Sequence, residues 1–291
     1  MSLVGETAYI TGTLNAFEFP FECGRLKDTD GMKIFIADWN STAAEQVAAE
    51  LNSKAGDQVA WAAHVDVSDW KSQRQAFESA VKQLGRIDYV FPIMQISEQY
   101  WLPEDLGTRS GKFEKPNLKV FEVNANGALY SAALAISQFR RQEPNMKGFR
   151  GKICSVASAC GFYCIPTLPV YTASGHAVVG FTRAFGRYLP REQITLNTIC
   201  PNIVAAGIST GSFYEKAEAR DHLITLEALT SAFEHVMTTD ISGEAIEVLP
   251  GDEGFLVRKD PEFTNEKCKQ SIELARAPDH RAWKLHEPIL E

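Results

Sequence analysis

The sequence predicts a doubly wound α/β fold, a parallel sheet with helices packed on both faces. Two observations predict it. Short aliphatic and β-branched runs alternate with stretches of helical apolar spacing along the whole chain. Each run also closes on turn- or cap-forming residues such as Thr11-Gly12, Asp38 and Gly85-Arg86. Size agrees: 291 residues, 45% hydrophobic and 23% charged, can bury a sizeable core and show no disordered bias.

The elements follow in order. Ala8–Ile10 reads as the first strand and Lys33–Ala37 as the second, ending in Asp38. The run STAAEQVAAELNSKAG places Ala, Val and Leu at helical spacing. Ala60–Val67 reads as a third strand carrying Asp66, Lys71–Leu84 as a helix, and Ile87–Met94 as the fourth strand. An apolar run from Gly151 leads through small residues and a Pro-punctuated loop into a helix starting near Tyr171. Ile194–Cys200 is the sixth strand, Thr225–Met237 a helix, and Ala245–Leu249 the last strand. No repeat, linker or low-complexity segment interrupts this order. It therefore predicts one domain over residues 1–291, with a core of about 5–251 and a C-terminal extension over 252–291.

Composition excludes several functions. A net charge of −8 leaves no basic excess for nucleic acid or an acidic membrane surface. No apolar run approaches the roughly 20 residues that cross a bilayer. MSLVGETAYITG enters a strand directly, without a signal-peptide layout, so a cytoplasmic location is expected. Cysteines 23, 154, 160, 164, 200 and 268 have no paired spacing, which predicts reduced, buried thiols and no metal site.

The stretch GKICSVASACGFYCIPTLPVYTASGHAVVGFTRAFGR, Gly151 to Arg187, holds Ser158 and Tyr171 thirteen positions apart. It resembles the active-site segment of the short-chain dehydrogenase/reductase family, where a Ser at a strand end faces a Y-x-x-x-K helix. The similarity spans about Gly5 to Gly251, and ITLNTICPN with the long ending looks most like fungal relatives of prostaglandin-type dehydrogenases. The resemblance implies a Rossmann-like sheet, with Ser158, Tyr171 and Asn124, in FEVNANGALYSAALAISQFRR, as the catalytic set. It implies that Gly12, Asp38 and Asp66 face an NAD cofactor, Asp38 at the ribose hydroxyls and Asp66 near the adenine.

The departures from the family pattern set the functional expectation. After Thr11-Gly12, Ala16 and Glu18 stand where the second and third Gly of T-G-x-x-x-G-x-G belong, among Phe17, Phe19, Phe21 and Glu22. A carboxylate about 4 Å from a phosphate costs ~4 kcal/mol at an effective dielectric near 20. Ile93-Met94-Gln95 replaces Asn-Ala-Gly, and Pro201-Asn202-Ile203-Val204-Ala205-Ala206 lacks the family's carboxamide-binding Thr. Gly175 occupies the place of the Lys, which predicts a Tyr171 that stays protonated and a nicotinamide site opened to substrate. His176, about 100° further round the helix, is expected to be a surface or packing residue.

Together these predict an enzyme of dehydrogenase ancestry working without a cofactor. Its step would be cyclisation, isomerisation or dehydration of an apolar, carbonyl-containing secondary metabolite. The alternatives are an NAD-dependent alcohol dehydrogenase or ketoreductase, and a non-catalytic pseudoenzyme. Phe213, Tyr214, Tyr163, Ile165 and Leu168 are expected to wall the pocket, with Tyr100 and Trp101 at its rim. A homodimer or homotetramer is the expected assembly.

Overall fold

The computed structural model describes residues 3–12, 32–102, 113–205 and 209–276. Its centre is an eight-stranded sheet. In chain order the strands are β1 (Thr7–Thr11), β2 (Lys33–Asp38), β3 (Ala60–His64), β4 (Tyr89–Pro92), β5 (Gly151–Val156), β6 (Ile194–Pro201), β7 (Ala245–Val248) and β8 (Phe255–Val257). The spatial order is β3-β2-β1-β4-β5-β6-β7-β8, and only the β7–β8 pairing is antiparallel. The doubly wound α/β prediction therefore holds.

Strand alternation divides the core between the two faces. Ala8 and Ile10 of β1, with Ile34 and Ile36 of β2, pack with Ala44 and Ala48 of α1 (Ser41–Ala55) and Phe233 and Val236 of α7 (Leu226–Thr238). Tyr9, Phe35 and Ala37 face the other way, onto Phe77 of α2 (Trp70–Leu84) and Phe139 of α4 (Gly127–Phe139). Strands buried on both sides read as near-continuous apolar runs for this reason. Side-chain caps set the helix starts: Asn40 accepts from Ala43 N, Asp69 from Ser72 N and Thr225 from Ala228 N. The remaining helices are α3 (Lys119–Phe121), which runs through a π-helical turn at Glu122–Asn126 into α4, then α5 (Pro169–Phe185) and α6 (Gly211–Glu218).

Three boundaries differ from the sequence reading. The third strand ends at His64, not Val67. Val65 N still bonds Asp38 O at 2.9 Å, but Asp66 N turns to the Ser72 hydroxyl, also at 2.9 Å. The fourth strand is Tyr89–Pro92 and leaves Met94 outside, because both Ile93 N and Met94 N donate to Thr11 O. The first compact unit runs to Val257, past the Gly251 expected from the sequence. The chain reverses through Gly251 (φ +57°) and Gly254 (φ +77°) to pair β8 with β7. The second unit, Arg258–Glu291, contains helix α8 (Glu266–Arg276).

Among the described cysteines, Cys154, Cys160 and Cys200 are buried and Cys164 and Cys268 are exposed, and all five are free. Burial therefore covers three of them, not all; Cys23 lies outside the described residues. Among the described residues no helix is long and apolar enough to cross a membrane, and no group of His, Cys, Asp or Glu could hold a metal ion.

Gly12 ties the end of β1 to the chain leaving β4. Its φ is +85°, and a Cβ there would lie 2.7 Å from Met94 Cα. Gly12→Ala should lower stability by on the order of 3 kcal/mol, combining left-handed strain with backbone displacement, as read by urea denaturation. An unchanged midpoint would mean that the two segments separate freely.

Candidate active site

The carboxyl ends of the parallel strands form one edge of the sheet. β2 lies on one side of β1 and β4 on the other, so the strand order reverses at β1, the switch point outside which open α/β sheets take their ligands. Gly12 follows β1, Asp38 ends β2, Asp66 follows β3, Gln95 follows β4, Ser158 follows β5 and Asn202 follows β6. Tyr171 sits in the first turn of α5, whose Pro169 occupies the first or second helical position.

A directional hydrogen-bond chain joins the centre of this edge. Ser158 has extended backbone (φ −154°, ψ 161°) and caps the 3₁₀ turn Ala159–Gly161, its Oγ accepting from Cys160 N at 3.2 Å. Ser158 stands close enough to Tyr171 for its side chain to favour the ionised phenol. Tyr171 Oη donates to Gln95 Oε1 at 2.9 Å, and Gln95 Nε2 donates to Val156 O at 2.8 Å. Tyr171 is 8% exposed. Burial pushes its phenol up to about 12, against a smaller lowering from Ser158. The phenol is therefore protonated at neutral pH.

Asn124 does not join this chain. It lies in the π-helical turn, 3% exposed, with Oδ1 accepting from Ile96 N at 2.8 Å and Nδ2 donating to Ile96 O at 3.0 Å. One residue before Ile96 is Gln95, and two after it is Glu98. The Glu98 carboxylate accepts from Tyr171 N at 2.7 Å and Val170 N at 3.4 Å, taking two of the unpaired amides that open α5. Tyr171 is thus gripped at its hydroxyl and at its backbone by one short segment, which Asn124 holds between the two grips. The buried Gln73 supports the far side of the π turn, donating to Val67 O and Gly127 O. The sequence reading noted Gln95 only as part of the run that replaces Asn-Ala-Gly, and Glu98 and Gln73 carry no local signal that would single them out.

Gly175 lies one turn beyond Tyr171 and does not open space. A Cβ there would sit 3.0 Å from Gly161 N and 3.3 Å from Cys160 C, so the glycine lets α5 approach the turn that carries Ser158. His176 is exposed, its Nδ1 3.0 Å from Thr172 O, as expected of a surface residue.

The candidate cofactor positions are spread along the same edge. Asp38 is buried and its Oδ1 accepts from Asn40 N at 2.8 Å. The Asp66 carboxylate accepts from the Ser68 amide and hydroxyl and lies 3.6 Å from Lys119 Nζ. Burial raises Asp66, but these partners outweigh it and hold the carboxyl below the usual range. Asn202 Nδ2 donates to Val248 O and to the buried Glu247, to which the Tyr163 hydroxyl also donates, at 3.3 Å. Ala16, Phe17, Glu18, Phe19, Phe21, Glu22 and Ala206 lie outside the described residues.

Leu168, expected in the pocket wall, and Trp101, expected at its rim, pack with Val120, Cys160, Val170 and Tyr171 in one apolar cluster. Tyr163, Ile165, Phe213 and Tyr100 are exposed. Tyr214 is close enough to Tyr171 to act on it electrostatically.

The site thus sets a protonated Tyr at a helix start near a Ser at a strand end, on the carboxyl edge of a doubly wound sheet. The family model described as short chain dehydrogenase matches residues 7–217, and the chain belongs to that family. It is 29% identical over 211 residues to 15-hydroxyprostaglandin dehydrogenase [NAD(+)] of Macaca fascicularis, covering 72% of this chain and 71% of that protein. It is 34% identical over 182 residues to short-chain dehydrogenase srdC of Neurospora crassa, covering 59% and 65%. Among solved structures, it shares its fold with 3-ketoacyl-(acyl-carrier-protein) reductase from Brucella melitensis complexed with NADH. That match has a TM-score of 0.66 and 22% identity, over 87% of this chain and all of that one. These findings overturn the expectation of a chain without a cofactor: the relatives are oxidoreductases, and NAD(H) appears in their names and complexes.

Glu98→Ala should cost about 1–2 kcal/mol of stability, because Val170 N and Tyr171 N lose their acceptor. Glu98→Gln, which keeps an acceptor oxygen, should cost less than about 1 kcal/mol. Equal losses in thermal denaturation would mean that charge alone matters there.

Proposed function

We propose that this protein is an NAD-dependent alcohol dehydrogenase or ketoreductase, acting on a carbonyl or alcohol of an apolar small molecule. The observation that carries this reading is the placement of Ser158, at a strand end, near Tyr171, at a helix start, on the edge of the sheet, in a chain of the short-chain dehydrogenase family. The redox alternative thereby replaces cyclisation, isomerisation or dehydration.

The residues present suit a dinucleotide along the crevice. Gly12 leaves the turn after β1 without a side chain, at a φ that other residues avoid. The Asp38 carboxylate, at the end of β2, is an acceptor suited to ribose hydroxyls, and Asp66 suits the adenosine end. A bound nicotinamide supplies or takes the hydride.

The chain's own residues handle the oxygen. In reduction, Tyr171 Oη and Ser158 Oγ donate hydrogen bonds to the substrate carbonyl, whose oxygen gains negative charge as the carbon is reduced. The Tyr171 proton then passes to that oxygen, giving the alcohol, and the phenol is reprotonated from solvent. Oxidation would need Tyr171 as a base, and a buried phenol at about 12 is a poor one at neutral pH. Gly175, standing where the family's Lys would lie, supplies no cation to change that. Carbonyl reduction is accordingly the favoured direction. The apolar cluster of Trp101, Leu168, Val120 and Val170 beside Tyr171 supports an apolar substrate.

Calorimetry with NAD and NADH should give a saturable isotherm with one site per chain, and its absence would sink the cofactor reading. Tyr171→Phe, which removes only the donor, should slow reduction of an accepted ketone by about 10²–10³-fold. Full activity in that variant would place the chemistry elsewhere.

A further inference from the structure

We propose that Gln95 sets the protonation of the site: a fixed amide acceptor that holds the proton on Tyr171 and raises the pH at which the phenol ionises. The role rests on the carbonyl-reductase reading above and deepens it, by assigning a residue to the protonation state of its acid.

The argument begins with the amide's orientation. Val156 O is a backbone carbonyl and can only accept, so the end of Gln95 that meets it at 2.8 Å must be the NH₂ group. The other end, Oε1, then faces Tyr171 Oη at 2.9 Å and can only accept. Rotating the amide to donate to a tyrosinate would set Oε1 against Val156 O and lose that bond. Gln95 therefore supports the neutral phenol and offers nothing to the ionised one, the condition that raises an acid's pKa.

The rest of the hydrogen-bond chain points the same way. Cys160 N donates to Ser158 Oγ, which stands near Tyr171, and the Tyr171 proton lies toward Gln95. Both ends of the chain are backbone groups flanking Ser158, Cys160 N and Val156 O, so neither end can exchange roles. Asn124 fixes the path of the backbone at Ile96, next to Gln95. The ionisable groups around Tyr171 among the described residues are Cys160 on the 3₁₀ turn, Cys200 on β6, Tyr214 on α6 and the Glu98 carboxylate at its backbone. None is a cation, and burial raises both thiols.

The test uses the full chain with tyrosine labelled at the ring carbon bearing the hydroxyl, read by NMR at about pH 10, with Tyr171→Phe used to assign the signal. A phenol at about 12 should be roughly 1% ionised there. Gln95→Ala admits water, which can donate to tyrosinate, and should raise that fraction about fivefold, somewhat under one pH unit. Gln95→Glu has no donor at all and should ionise no more than wild type. An Ala variant with the wild-type fraction, or a Glu variant whose fraction rises, overturns the proposal. If the Ala variant does not fold, the Glu variant decides alone, since a rise there contradicts an acceptor role. The measurement needs no turnover. Failure of wild type to reduce any ketone would defeat the redox reading while leaving this result standing.

Discussion

The arrangement around Tyr171 depends on one side chain that does not touch it. After β4 the chain leaves the sheet, and the peptide groups of Ile96 lose their strand partners. The Asn124 amide supplies both, accepting from one and donating to the other, much as a neighbouring strand would. Leaving one such group unpaired and half-buried would cost about 1–3 kcal/mol. Held there, the segment places Gln95 at the phenol and Glu98 at the start of α5. The π-helical turn serves this pairing: its extra residue leaves carbonyls outside the regular helical ladder, and Gln73 takes one of them at Gly127.

A second constraint comes from the paired glycines. Gly161 and Gly175 meet where α5 crosses the turn after β5. A Cβ on Gly161 would fall 2.7 Å from Val179 Cγ2, and one on Gly175 would fall 3.0 Å from Gly161 N. This approach brings Tyr171 within hydrogen-bond reach of Ser158, since both residues ride on the elements in contact. Any side chain at 175 would press on the backbone that carries the serine. The glycine is therefore part of the packing that builds the pair, not a void left beside it.

The sheet was legible in the sequence because its signals are local. Apolar runs of strand length, helical spacing and caps at Asn40, Asp69 and Thr225 need no knowledge of distant residues. Ser158 and Tyr171 were legible through a motif spanning thirteen positions. What escaped was relational. Glu98 precedes Tyr171 by 73 residues, and Gln95 by 76, so nothing in either neighbourhood marks them as its partners. Gly175 was read as space because sequence supplies a missing side chain but not the direction in which a Cβ would point. The strand at Phe255–Val257 escaped too, since three half-exposed residues carry no period. The cofactor expectation failed for a different reason. It rested on the segment after Gly12, where substitutions say which side chains are present but not how the backbone runs, and family membership outweighs that count.

Magnitudes rank the influences on the phenol. A cation about 4 Å from a tyrosinate would contribute ~4 kcal/mol at an effective dielectric near 20, close to three pH units. A single neutral hydrogen bond is worth about 1 kcal/mol, less than one unit. The absence of a cation at position 175 therefore outweighs any hydrogen bond in deciding whether Tyr171 can serve as a base, and burial pushes the same way. Gln95 cannot reverse this balance, but it removes the remaining ambiguity. A water molecule in its place would turn to suit either state of the phenol, whereas an amide pinned by Val156 suits only one. Burial, the glycine and the amide thus act in the same sense, each keeping Tyr171 in its protonated form.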